Sequence, residues 1–222
     1  MTQRILLSWS SGKDSAWCLH VLKQCADVEI VGLLTTFNES TDRVAMHAVR
    51  RELVARQAKA AEVPLFPVML PWPCSNDDYE RRIGEALSTL TTELELTGVA
   101  FGDLFLADIR RYREECMQPT GLDCLFPLWG FDTRALALTM IDAGARAILT
   151  CVDPRRCPAS TAGRQFDGAL LEDLPADVDP CGENGEFHTF VYDHPAFAER
   201  IDVHAAPGIE RDGFVFADLV PR

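Results

Sequence analysis

Residues 5–20 read ILLSWSSGKDSAWCLH. An apolar run, Ile5-Leu6-Leu7, breaks into small polar residues, then Gly12-Lys13, and an amphipathic segment begins. The pattern predicts a strand over 3–8, a tight turn, and a helix over 14–24. The alternation then repeats. EIVGLLTTF (29–37) is a second strand, followed by a helix expected over about 43–62, with Ala45, Val49, Leu53 and Ala60 near one face. VPLFPVML (63–70) is a third strand. Ser75 and Asp78 form a capping-box pattern for a helix reaching about Leu96, with Tyr79, Ile83, Leu87, Leu90 and Leu94 inward. GVAFGD (98–103) and DCLFPLWG (123–130) give a fourth and a fifth strand.

Near-continuous apolar strands separated by helices predict an α/β fold, a parallel sheet of about five strands with helices on both faces. Beyond Gly130 the texture changes to a helix (Thr133 to Ala143), a strand RAILTCV, and then prolines and acidic residues. Two domains are expected, 1–129 and a smaller α+β domain over 130–222. In such sheets ligands sit beyond the carboxyl ends of the strands, where the strand order reverses. The Ser-rich turn after the first strand, Asn38 after the second and Gly102-Asp103 after the fourth all fall at such ends.

Composition narrows the classes. No apolar run approaches the roughly 18 residues that span a bilayer, and the N-terminus lacks a signal pattern, so a cytoplasmic protein with no membrane partner is expected. The 8 cysteines are scattered without a CxxC pair and read as reduced thiols, and Cys151, Cys157 and Cys181 match no zinc or iron–sulfur spacing. A net charge of −13 argues against a broad grip on nucleic acid, although RRYR (110–113) and DPRRCP (153–158) concentrate positive charge locally. A homo-oligomer stays open.

The turn itself excludes two common phosphate loops. A GxxxxGK[ST] loop needs Gly at position 7 and Ser or Thr at 14, where this chain has Leu7 and Asp14, and no GxGxxG occurs. What remains is a helix N-terminus whose N–H groups, the hydroxyls of Ser10, Ser11 and Ser15, and the Lys13 charge can grip a polyphosphate. Asp14 can cap the helix or reach a magnesium ion. An ordinary capped helix start is the alternative.

SWSSGKDSAW resembles the SGGKDS pyrophosphatase loop of the PP-loop ATPases, with Ser11 where that pattern has its first Gly. FGDLFLADIRRYREECMQPTGLDCLFPLWG (101–130) is similar to the segment of the diphthine–ammonia ligase branch that runs from a GD pair to a PLWG turn. GENGEFHTFVYDHPAF (182–197) is similar to that branch's EGGEFET region, with Asn184 for Gly and His188 for the second-last acid.

The resemblance implies a Rossmann-like sheet of the adenine nucleotide alpha hydrolase type. It also implies an enzyme that uses ATP and Mg2+ to adenylate a carboxylate, releases pyrophosphate, and lets ammonia displace AMP. The acceptor would be a protein resembling elongation factor 2 or a small molecule. By that match Ser10, Ser11, Gly12, Lys13, Asp14 and Ser15 bind phosphate, and backbone at Thr35 and Thr36 faces adenine. Lys13, Asp14 and Asp103 would be catalytic, with Asp14 and Asp103 on magnesium. Gly102, Glu114, Glu183 and Glu186 would shape the acceptor site, and Glu183 or Glu186 would take the proton from ammonium. Another PP-loop chemistry such as tRNA modification, or a non-catalytic adenine-nucleotide-binding module, is the alternative. Ordinary readings stand beside these: an ion pair of Glu114 with Arg110, a solvated turn for Glu183 and Glu186, packing for Trp129 and Phe131. Lys13 is expected on a solvent-facing turn.

Overall fold

The computed structural model describes residues 2–222. Its first sheet contains β1 (Gln3–Ser8), β2 (Val28–Asn38), β3 (Arg43–Val44), β4 (Leu65–Leu70), β5 (Gly98–Ala100) and β6 (Asp123–Leu125). β3 is a two-residue antiparallel addition at the end of β2, and the other strands run parallel in the order β4-β2-β1-β5-β6. The central strand is buried on both sides, as its unbroken apolar run requires. Ile5 and Leu7 enter a core with α1 (Lys13–Leu22) and α2 (Arg51–Ala61). Leu6 enters a second core with α3 (Asn76–Leu94) and α4 (Ala107–Met117). The five-strand parallel sheet covered on both faces is the architecture the alternation predicts.

α5 (Thr133–Asp142) leads into β7 (Arg146–Val152), and after the short α6 (Gly168–Asp173) the chain returns as β8 (Phe187–Asp193). β7 and β8 pair antiparallel. The chain ends in β9 (Val203–Ala205), β10 (Ile209–Arg211), β11 (Phe214–Phe216) and β12 (Leu219–Pro221). β10 and β11 extend the second sheet in the order β10-β11-β7-β8, and β9 pairs with β12. Leu136, Leu149 and Phe190 of this smaller part share one core cluster with Ile5, Leu19 and Leu53.

Local signals hold where they are strong. Ser75 Oγ accepts from the Asp78 N–H at 3.1 Å, the expected cap, and Ile83, Leu87 and Leu90 are buried beneath α3. The helix expected from about 43 begins only at Arg51. Met46 and Ala48 adopt left-handed φ values of 61° and 55°, incompatible with a helix. The segment is shaped from outside: Arg43 donates to Asp218 at 2.7 Å, and Arg50 Nε donates to the same carboxylate at 3.2 Å. The fifth strand stops at Leu125. No helix among the described residues is long and apolar enough to cross a membrane.

Candidate functional site

β1 and β5 are neighbours whose chains leave toward opposite sides of the sheet, so their carboxyl ends form the switch point. The turn Ser10–Ser15 lies at one end and Gly102-Asp103 at the other. They approach closely: a Cβ on Gly102 would stand 3.0 Å from the Asp14 carbonyl carbon and 3.1 Å from the Ser15 nitrogen. Only glycine lets the two ends meet at this distance.

Ser11 turns the chain with φ 71°, the left-handed conformation for which glycine is the ordinary choice. Three bonds hold it. Its carbonyl accepts from the Val191 N–H and from Gln57 Nε2, each at 3.0 Å, and Lys13 N donates to Thr189 Oγ1 at 3.1 Å. The Ser11 hydroxyl is buried and has no partner among the described residues. Gly12, at the N-cap of α1, has no side chain to satisfy the first-turn N–H groups. Thr189 meets the Lys13 N–H, while the N-cap offers no side chain to the N–H groups that follow, an arrangement that fits an anion.

Lys13 is not solvent-facing as expected: it is 3 % exposed. Its ammonium donates to both Asp14 oxygens, at 3.0 and 2.8 Å, and to the Cys181 carbonyl, between the rings of Phe166 and Phe187. Burial is the largest single influence and opposes its charge, but the Asp14 carboxylate together with the nearby Cys181 and Glu183 more than offsets it and leaves the pKa above the ordinary lysine value. The C-terminal part of the chain therefore supplies one wall of the Ser10–Ser15 turn.

A cleft of about 220 Å³ opens between these groups, lined by Ser10, Lys13, Asp14, Ser15, Gly102, Asp103 and Glu183 among others. A larger cavity of about 630 Å³ adjoins it, under α3 and α4, sharing Ser8, Ser10, His47, Phe101, Arg113 and His188. Thr36 lines the larger cavity, while Thr35 is buried with its hydroxyl donating to the Trp9 carbonyl at 2.9 Å.

The carboxylates expected at the acceptor site part company. Glu183 lines the cleft and accepts from the Leu104 N–H at 2.7 Å. Burial pushes its carboxyl up to about 7, against the lowering effect of that bond. Glu186 is buried behind it, bonded by Asp179 N and Asn184 Nδ2 at 3.0 Å each, and lines neither cavity. Glu114 lies on the surface of α4 in the ion pair with Arg110, at 2.8 Å, and also lines neither. Asp103 lines the cleft, but both its oxygens accept from Arg113, at 2.6 and 3.3 Å.

Sequence reasoning passed over Arg113 and Gln57. Arg113 sits within the RRYR run, where only the fold distinguishes an inward arginine from outward ones. Gln57 stands as a single amide among the buried positions Leu53, Val54, Ala58, Ala60 and Ala61 of α2, and that isolation was the available signal. His47 and His188, 4.5 Å apart between ring centroids, form the joint between the cavities. Burial lowers both, His188 to about 4, so the pair is neutral at pH 7.

Comparison with known proteins agrees with this geometry. Residues 3–123 match the diphthamide synthase N-terminal domain, and residues 132–215 match the diphthamide synthase C-terminal domain. A Schizosaccharomyces pombe protein named diphthine–ammonia ligase is 26% identical over 212 residues, covering 86% of this chain and 34% of that protein. The chain thus spans about a third of that relative. Proteins of the same name from Rattus norvegicus and Homo sapiens are 25% and 26% identical, each across 97% of this chain and 88% of theirs. With one model covering more than half of its length and the second covering most of the rest, the chain belongs to the diphthamide synthase family of PP-loop proteins.

Proposed function

We propose that this chain is an ATP-dependent, amide-forming ligase that cleaves ATP to AMP and pyrophosphate, adenylates a carboxylate and passes the acyl group to ammonia. The observation that carries this reading is the junction of the two cavities. A triphosphate gripped by the Ser10–Ser15 turn and an acceptor in the larger cavity meet at one wall, Ser8, Ser10, Phe101 and Arg113.

The chemistry divides into two steps. In the first, a carboxylate oxygen attacks the α-phosphorus, the bond to the bridging oxygen of the β-phosphate breaks, and pyrophosphate leaves. No proton has to move, so in-line positioning and charge neutralisation carry the rate. The first-turn N–H groups of α1, the hydroxyls of Ser10, Ser11 and Ser15, and the Lys13 ammonium supply both. Magnesium, when bound, neutralises phosphate charge, and a cation arriving with phosphate oxygens needs only one or two protein carboxylates. Asp14 lines the cleft beside the turn and would hold the ion by releasing one of the two bonds it accepts from Lys13. Asp103, bonded through both oxygens to Arg113, acts through that guanidinium instead. In the second step nitrogen attacks the acyl carbon, AMP leaves, and a proton is lost from the attacking amine. Glu183, held near neutrality in its pKa on the cleft wall, is suited to receive it.

The names of the relatives make diphthine, carried on elongation factor 2, the acceptor to test first. Phosphorus NMR with ATP, magnesium and ammonium, with and without that factor, reads the outcome. AMP and pyrophosphate are expected; ADP and phosphate would overturn the reading. AMP and pyrophosphate in the absence of the factor would keep the cleavage and reject diphthine as the required acceptor.

A further inference from the structure

Formation of an adenylate brings two anions together, the acceptor carboxylate and the α-phosphate. Some cation must stand at their meeting point with donors to spare. Among the described residues lining the cleft, the lysines and arginines are Lys13 and Arg113. Lys13 stands on the far wall with the Ser10–Ser15 turn, beside Asp14 and the Cys181 carbonyl, where it serves the phosphates, and it does not line the larger cavity. In the larger cavity Arg113 is the one lysine or arginine among the described lining residues. It is also common to both spaces.

The guanidinium is fixed from several sides. Asp103 takes Nε at 2.6 Å and Nη2 at 3.3 Å, the Phe101 ring lies under it with its centroid 4.7 Å from Cζ, and Tyr79 stands beside it. Asp103 takes two of the five guanidinium protons and Tyr79 lies within hydrogen-bonding reach of the group, so two N–H donors are left for a further partner. An arginine tethered along one edge by a carboxylate keeps its other edge as a planar fork, the geometry that recognises a second carboxylate. Much of the rest of the larger cavity is apolar and aromatic, including Trp9, Leu34, Ile83 and Met117, and its other charged lining residues, Glu80 and Glu115, are acidic, so a carboxylate entering there has one cationic partner to find.

We propose that Arg113 is the carboxylate subsite for the acceptor and that Asp103 is the positioning residue that aims it. The assignment rests on the ligase reading above and adds where the acceptor's reacting group is held. Arg113 would hold the nucleophilic oxygen at the junction until it attacks phosphorus, and would contact neither the β- nor the γ-phosphate.

The test separates the two anions. Binding of α,β-methylene-ATP with magnesium is measured for the wild type, Arg113→Met, Arg113→Lys and Asp103→Asn. Binding of 4,4,4-trifluorobutyrate to each nucleotide-loaded protein is then followed by fluorine NMR, with the neutral amide of the same acid as control. Nucleotide affinity should be unchanged in all four proteins. Carboxylate affinity should fall about tenfold to a hundredfold in Arg113→Met, the worth of a charged hydrogen bond. Arg113→Lys should not restore it, because an ammonium cannot serve Asp103 and a carboxylate in one plane. Asp103→Asn should weaken the carboxylate alone, whereas a structural defect would weaken nucleotide and carboxylate together. Equal carboxylate binding by Arg113→Met, no saturable binding by the wild type, or loss of nucleotide affinity in place of carboxylate affinity would overturn the proposal. Phosphorus NMR keeps the two failures apart. ADP as product sinks the ligase reading itself, whereas AMP with carboxylate binding untouched in Arg113→Met sinks only the subsite.

Discussion

Gln57 donates one amide proton to the carbonyl of Ser11 at 3.0 Å, so a residue of α2 helps set the conformation of the Ser10–Ser15 turn. The same nitrogen reaches the Val191 carbonyl at 2.7 Å, and Gln57 Oε1 accepts from Trp9 Nε1 at 2.9 Å. Every group is buried, and the amide joins the turn after β1, β8 and α2 at one point. Gln57→Leu strands the indole N–H without an acceptor and removes a donor from two carbonyls. We expect a loss of about 3 kcal/mol, the cost of one or two buried polar groups left unpaired. Urea denaturation measures it, and a loss below about 1 kcal/mol would show that the bridge is replaced by solvent.

Ser11→Gly tests strain against function at one residue. A left-handed non-glycine residue costs roughly 1 kcal/mol, and the buried Ser11 hydroxyl has no partner among the described residues to offset it. The variant should melt about 2–4 °C higher, as 1 kcal/mol implies for a chain of this size. Nucleotide affinity should fall in the same variant if the hydroxyl binds phosphate. A gain in stability without that fall would leave the hydroxyl outside the site.

Lys13→Met keeps the volume of a buried side chain and removes its charge. Turnover should fall by about a hundredfold or more, the scale of losing one electrostatic contact to the transition state. Because the ammonium also ties the turn to Cys181, the melting temperature should drop as well. Far-UV circular dichroism beside the kinetics separates the two, and full activity would remove Lys13 from the mechanism.

Glu183 predicts a pH profile. Burial raises its pKa to about 7, so the carboxylate that accepts a proton is depleted below neutrality. The amidation rate should rise with pH through about 7 and then level. Glu183→Gln should lose most of the rate and that limb of the profile together, whereas an unchanged limb assigns the titration to another group.

Acid stability has the opposite kind of cause. His194 is buried with its Nε2 unpartnered, and burial lowers its pKa to about 3, with His188 lowered to about 4. Both are neutral in the folded chain at pH values where the unfolded chain, with histidines near 6.5, already binds protons. Their contribution is complete above about 6.5 and is lost as pH falls toward 4 and 3. Denaturation midpoints should decline across that window, and His194→Phe should flatten the decline. An equally steep decline in His194→Phe would put the cause elsewhere.

The position and polarity of the Ser10–Ser15 turn were legible because they depend on neighbours in the chain. The apolar run into Ser10–Ser15 marks a strand end, and Ser75 with Asp78 marks a helix start. The path of 43–50 was not legible. Its spacing reads as helical, yet two arginines answer to Asp218 at the far end of the chain and bend the segment away from a helix. Glu114, Glu183 and Glu186 looked alike as acidic residues near the site, and only burial and distance divided a surface pair, a cleft wall and a buried brace.

The sequence by itself determined the parallel sheet, the helices on its two faces, the switch-point turn and the family. Hydrophobic period, caps and motif spacing are properties of local stretches and survive without knowledge of the rest. Only the tertiary structure decided that Lys13 is buried against Cys181, that Gln57 sets Ser11, and that Asp103 faces Arg113 in place of open solvent. Those outcomes turn on desolvation and hydrogen-bond pairing, which exist only once distant segments have packed together.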